Sequence, residues 1–94
     1  MTSERIIFWA HAIQRMFERR ISADDVRQVL ATGRTIEDYP NDTQYPSKLR
    51  LGWRADRPLH VVAAHNTADD ETIVITVYEP DPDQWAEGFK RRQP

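Results

Sequence analysis

The 94-residue chain contains no cysteine. Disulfide staples, thiolate nucleophiles and every Cys-containing zinc or iron–sulfur site are therefore excluded, and nothing calls for an oxidising compartment. Glycine and proline are sparse, at 3 and 6 residues, which argues against a low-complexity or disordered chain. Long apolar runs are missing too. The longest near the start, Ile6 to Ala10, is too short for a signal-peptide core or a membrane span, so a cytoplasmic protein without membrane contact is expected. There is no excess of positive charge: 13 Lys and Arg against 15 Asp and Glu leave a net charge of −2. A broad, non-specific basic surface for nucleic acid is thereby disfavoured.

What is present is enough for one small core. A hydrophobic content of 39% with 10% aromatics suits a single domain spanning residues 1–94. The charges are sorted along the chain. Residues 65–87 carry Asp69, Asp70, Glu71, Glu79, Asp81, Asp83 and Glu87 without a Lys or Arg, whereas the other segments are net basic. Lys48 and Lys90 are the only lysines, so the basic charge is mostly arginine, the side chain that grips phosphate or carboxylate through two parallel hydrogen bonds.

Trp9, Ala12, Ile13, Met16 and Phe17 recur at three- and four-residue intervals and predict a helix over residues 9–20 with one buried stripe. His11, Arg15, Glu18 and Arg19 fall on its opposite side. Ser22 can cap a second helix, residues 23–32, by accepting from the Asp25 amide, with Ile21 and Val26 as a hydrophobic staple and Val26, Val29 and Leu30 as its core face. Gly33 stands where a left-handed residue would end it. From there the period changes to two. A short strand is expected over Thr35–Tyr39, then Lys48–Arg54, Leu59–His65 and Thr72–Glu79 as an antiparallel meander. Leu49, Leu51 and Trp53 alternate with Lys48, Arg50 and Arg54. Asp83 is placed to cap a short C-terminal helix with Trp85 and Phe89 inward. The expected fold is thus α+β: two N-terminal helices on one face of an antiparallel sheet of three to four strands, the other face open, and a short C-terminal helix.

His11 and Arg15 stand at i and i+4, and Arg19 extends the row. An imidazole can move a proton near neutral pH, and guanidinium groups can hold a phosphate and the charge of its transition state. The same spacing also describes an ordinary solvated face that Glu18 partly neutralises. For His60, the pairing register decides. In one register it lies beside Trp53 and Leu51 as a structural histidine, and one residue's slip carries it to Arg50 and Arg54 as a proton carrier in a basic groove. His65, at a strand end, reads as a turn or surface residue. Thr76 and Tyr78 share a face, and a Tyr hydroxyl can donate to a phosphoryl oxygen, although both are also good strand formers. Asp69, Asp70 and Glu71 lack the glycine and spacing of a calcium loop and read as a solvated turn. No histidine spacing suits zinc, so neither metal nor cofactor is expected.

The runs HAIQRMFERRIS, YPNDTQYPSKLRLGW, RPLHVV and ITVYEPDPDQWAEGFKRR together resemble a small bacterial family catalogued as domain of unknown function forty-two fifty-eight. The likeness covers nearly the whole chain and is strongest in the HAxxRMxxRxIS opening and the TVYxPDPxxW close. It implies a distant relation to RelE-like and barnase-like ribonuclease toxins of toxin–antitoxin systems, often encoded beside a small zinc-ribbon antitoxin. The family motif falls on His11, Arg15, Arg19, His60, Thr76, Tyr78 and Trp85, the last for packing. The function expected is a metal-independent endoribonuclease on single-stranded RNA. His11 or His60 would serve as base or acid, with Arg15 and Arg19 on the phosphate and Tyr78 orienting the substrate. Arg50, Arg54 and Thr76 would bind RNA across the sheet. The alternative is a non-catalytic module that binds a protein, such as a small zinc-ribbon antitoxin, through the basic helix face and open sheet.

Overall fold

The computed structural model of the chain describes residues 5–40, 46–86 and 88–92. In chain order the elements are β1 (Arg5–Phe8), α1 (Ala10–Arg19), α2 (Ala23–Thr32), β2 (Arg34–Tyr39), β3 (Ser47–Arg54), β4 (Arg57–Asn66), β5 (Glu71–Tyr78), β6 (Trp85–Ala86) and β7 (Arg91–Arg92). The first five strands form one sheet in the order β1-β5-β4-β3-β2, with β1 parallel to β5 and the other pairs antiparallel.

Both helices form for the local reasons legible in their residues. Arg20, at φ 57, closes α1 in the left-handed conformation, and the Ile21 amide reaches back to the Met16 carbonyl at 2.8 Å, a six-to-one closure of the last turn. Ser22 and Asp25 then form a reciprocal capping box at the start of α2, at 3.0 and 2.9 Å, with Ile21 and Val26 buried around it. Arg54 of β3 joins these two ends, donating to the Arg20 carbonyl at 2.7 Å and to the Asp25 carboxylate at 3.2 Å.

The core lies between the helices and one face of the sheet, and contains Ala12, Met16, Val26 and Val29 of the helices with Leu59, Val61, Ala63, Val74 and Val77 of the central strands. Gly52 determines how β3 meets it. A Cβ at Gly52 would stand 2.6 Å from Val29 Cγ2, so only a bare backbone lets α2 settle there. Gly52 therefore faces the helices, and strand alternation turns Lys48, Arg50 and Arg54 the same way. Leu49, Leu51 and Trp53 face away. Leu49 and Leu51 are buried, while Trp53 is 44% exposed.

Four expectations about the fold are corrected. The sheet is mixed and five-stranded, not an antiparallel sheet of three to four strands: a short apolar run after Arg5 does not reveal β1, whose partner β5 is far along the chain. There is no C-terminal helix among the described residues. Gly88 and Phe89 adopt positive φ, 68° and 70°, and the chain returns as the β6–β7 hairpin. Gly33 is not left-handed. It is extended, and a Cβ there would lie 2.5 Å from the Val29 carbonyl and 2.6 Å from that of Leu51, so close backbone approach requires the glycine. The stripe on α1 is also narrower than its periodicity suggests: Ala12 and Met16 are buried, whereas Ile13 is 54% and Phe17 87% exposed.

Gly52→Ala is expected to overpack the α2–β3 contact and cost about 1–3 kcal/mol, read as a lower urea midpoint. Partial burial works against ionisation of the Asp25 carboxyl, but the Ser22 amide, the Arg54 guanidinium and the Ser22 hydroxyl outweigh it and hold its pKa below the ordinary value. Its stabilising contribution is therefore complete above the unfolded-state pKa and fades as pH falls through the lower folded-state value. Asp25→Asn should cost about 1 kcal/mol at neutral pH and flatten the acid limb of a stability-against-pH curve. An unchanged acid limb would contradict the assignment.

Candidate functional site

Direct cross-strand pairing places His60 opposite Leu51 on one side and opposite Tyr78 on the other. Paired residues share a face, so His60 and Tyr78 lie on the sheet face turned away from the helices. Thr76, opposite Val62, is on that face as well. This face is not open there. Trp85 of β6 packs edge-on against the His60 ring at 4.4 Å between centroids, and Phe89 meets Trp53 edge-on at 6.1 Å. His60 is completely buried. Its Nε2 lies 2.9 Å from the Phe89 carbonyl oxygen and its Nδ1 3.2 Å from the Tyr78 hydroxyl. A carbonyl only accepts, so Nε2 carries a proton and donates it there. In the neutral ring, Nδ1 accepts from Tyr78. His60 is thus the structural histidine of the two registers considered, bridging the sheet to the C-terminal segment.

The arginines of β3 lie on the other side of the sheet. Arg54 is committed to Arg20 and Asp25. Arg50 donates through Nη2 to the carbonyls of Gly33, at 2.7 Å, and Leu30, at 3.4 Å, and through Nη1 to the Thr35 hydroxyl at 3.3 Å. On α1, His11, Arg15 and Arg19 are all exposed, and Arg15 pairs with Glu18 at 3.5 Å. The eight residues singled out by the sequence therefore do not converge. His60, Tyr78 and Thr76 share the face away from the helices, Arg50 and Arg54 point towards the helices, and His11, Arg15 and Arg19 stand on the solvent side of α1.

A different group does converge. Where α2 stops short of the sheet's end, a hollow of about 420 Å³ opens on the helix-bearing face, large enough for a nucleotide-sized ligand. Lys48, Arg50, His65 and Thr72 supply its polar lining, with Leu30 and Ala63 among the apolar part. The register explains the grouping, because Lys48 is opposite Ala63 and His65 is opposite Thr72. Among the described residues that line it, none is a carboxylate. Arg50 is held only by neutral acceptors, and its buried Nε has no partner among the described residues. By contrast Arg5, Arg15, Arg27, Arg54 and Arg57 each face an acidic side chain. Among the described residues no carboxylate compensates the guanidinium charge of Arg50 beside the Lys48 ammonium, an arrangement suited to an oxyanion. Among the described residues no group of His, Asp and Glu is arranged to hold a metal, and no helix is long and apolar enough to cross a membrane.

The sequence reading placed none of Lys48, His65 and Thr72 in a site, taking His65 for a turn or surface residue. The alternation of Lys48 with Arg50 was a usable signal, but Thr72 and His65 join them only once the β3–β4–β5 register is known. Compared with known families, residues 8–79 match the one described as Domain of unknown function (DUF4258). The chain belongs to this family. The match covers well over half of the chain and includes α1, α2 and the whole five-stranded sheet except the first three residues of β1. No curated protein and no solved structure matches it.

His60→Ala is expected to leave the Tyr78 hydroxyl and the Phe89 carbonyl without their partner and to open a void under Trp85. The expected cost is about 2–4 kcal/mol in chemical denaturation. A change within 0.5 kcal/mol of zero, on the order of a neutral surface substitution, would remove the bridging role.

Proposed function

We propose that this DUF4258 protein acts on single-stranded RNA as a metal-independent endoribonuclease, with the scissile phosphate seated in the Lys48–Arg50 hollow. The observation that carries the reading is a nucleotide-sized hollow that, among the described residues, has two cationic side chains and no lining carboxylate, one of the cations being a guanidinium that no described acidic group neutralises. In the reaction, a ribose 2′-oxygen bonds to the adjacent phosphorus and the bond from phosphorus to the 5′-oxygen breaks. The products are a 2′,3′-cyclic phosphate and a 5′-hydroxyl. The proton lost from the 2′-hydroxyl is balanced by one gained at the departing 5′-oxygen. Lys48 and Arg50 offset the charge that grows on the phosphoryl oxygens in the pentacoordinate transition state, and Thr72 supplies a hydroxyl that can hold an oxygen of the substrate. His11, Arg15 and Arg19 form a second exposed basic row for flanking phosphates. His60 and Tyr78 support the fold beneath the C-terminal segment.

A second reading, a module that binds a protein partner, draws on a separate observation: Phe17 and Ile13 stand one turn apart on α1 and are largely exposed. Exposed aromatic side chains of this kind are enriched at interfaces.

Cleavage of a single-stranded RNA in the presence of EDTA, ending in a 2′,3′-cyclic phosphate, tests the first reading. Lys48→Ala, an exposed position, should leave folding intact and lower kcat/KM roughly ten- to a hundredfold, equivalent to one charge-assisted contact of roughly 1.5–3 kcal/mol. It should also reduce the salt dependence of RNA binding by about one phosphate contact. A folded protein that cleaves no RNA, or that cleaves equally well as Lys48→Ala, would contradict it.

A further inference from the structure

Cleavage through a 2′-hydroxyl requires a group that removes its proton, and the two histidines favoured by sequence are poorly placed for work in the hollow. His60 is completely buried on the other face of the sheet, with both ring nitrogens engaged. His11 lies in the first turn of α1 and does not line the hollow. The imidazole that does line it is His65. Strand alternation along β4 puts His65 on the same face as Val61 and Ala63, and its side chain is 42% exposed, open to solvent and to a ligand.

From this we infer that His65 is the proton-transfer residue of the hollow, taking the proton of the ribose 2′-hydroxyl while Lys48 and Arg50 hold the phosphate. This assignment rests on the ribonuclease reading above. An imidazole is the side chain whose ordinary titration range keeps a neutral, proton-accepting form abundant near neutral pH. The imidazole nitrogen gains the 2′-hydroxyl proton as the bond from O2′ to phosphorus forms. As the bond from phosphorus to O5′ breaks, that oxygen takes a proton from water, and the imidazolium later returns its proton to solvent.

The adjoining turn brings a carboxylate near the ring. Asp70 Oδ1 lies 3.7 Å from His65 Nε2, and Asp70 takes a left-handed backbone, φ 52, at the end of that turn. Asn66 organises the turn by accepting from the Ala68 amide at 3.2 Å and donating to Asp69 at 3.1 Å. The charged groups near the imidazole are therefore Asp70 on one side and Lys48 and Arg50 in the hollow. A base beside cations that hold the substrate is a division of labour that metal-free phosphodiester transfer can use.

The test uses the full chain and an oligonucleotide with a single ribose linkage in an otherwise deoxy sequence, so that only one bond can be cut. His65→Ala should lower the cleavage rate by about 10²–10⁴-fold with RNA affinity and melting temperature unchanged. Added imidazole should restore part of the rate, and the acid limb of the wild-type pH–rate profile should disappear. His11→Ala should keep the proton-transfer limb. In parallel, an uncleavable all-deoxy oligonucleotide should perturb the ring proton resonances of His65 and leave those of His60 in place. Wild-type cleavage matched by His65→Ala, or an unperturbed His65 resonance with bound oligonucleotide, would overturn the assignment and leave the ribonuclease reading standing. A wild-type protein that cleaves nothing would overturn that reading and this inference with it.

Discussion

Val29 of α2 rests on the bare backbone of Gly52, and the orientation of β3 depends on that contact. A side chain at Gly52 would collide with Val29, so the helix can sit close only over this residue. Because successive strand residues alternate between faces, the contact commits Lys48, Arg50 and Arg54 to the helix side and Leu49, Leu51 and Trp53 to the other. Pairing of Gly52 with Leu59 then carries the choice into β4. Leu59, Val61 and Ala63 enter the core under the helices, and His60 is turned away from them.

Placing arginines on the helix-bearing face of a sheet requires that each find partners, since a partly buried guanidinium without hydrogen bonds is costly. The two solutions differ. Arg54 meets a carboxylate and a helix-end carbonyl, so its charge is compensated and it fastens the junction of α1 and α2. Arg50 meets the free carbonyls at the C-terminal end of α2, groups that lack partners within a helix and carry partial negative charge. Those dipoles hold the side chain in place without cancelling a full unit of charge. The same contacts that attach α2 to β3 therefore leave a positive field at the edge of the hollow, where Lys48 adds to it and His65 brings a titratable ring. Anchoring of the helix and a positive charge beside the hollow are two consequences of one arginine.

On the reverse face, the short β6–β7 hairpin does the covering that a helix would otherwise do. Left-handed Gly88 and Phe89 turn the chain back over the sheet, bringing the Phe89 carbonyl to His60 while Trp85 closes over the ring. A fully buried imidazole is tolerable because both nitrogens have partners. His60 thereby becomes a strut, and the proton chemistry it promised in a basic groove is unavailable to it.

Local chemistry was readable in the chain order. The capping box at Ser22 and Asp25, both helices and the alternating strands all follow from neighbours within a few residues, and such interactions are short-ranged enough to be seen in one dimension. Family membership was legible too, carried by motifs spread from residue 11 to residue 85. Beyond that range, local pattern loses its authority. β1 is a strand only because β5 offers it an edge, the C-terminal segment becomes a hairpin through its packing on His60, and the period-two alternation of β3 shows that Arg50 and Leu51 face opposite ways without saying which meets the helices. That choice was made by Val29 against Gly52, residues 23 positions apart in the numbering of one chain. The gathering of Lys48, Arg50, His65 and Thr72 is likewise a product of register, because strand pairing joins side chains that no spacing along the polymer relates.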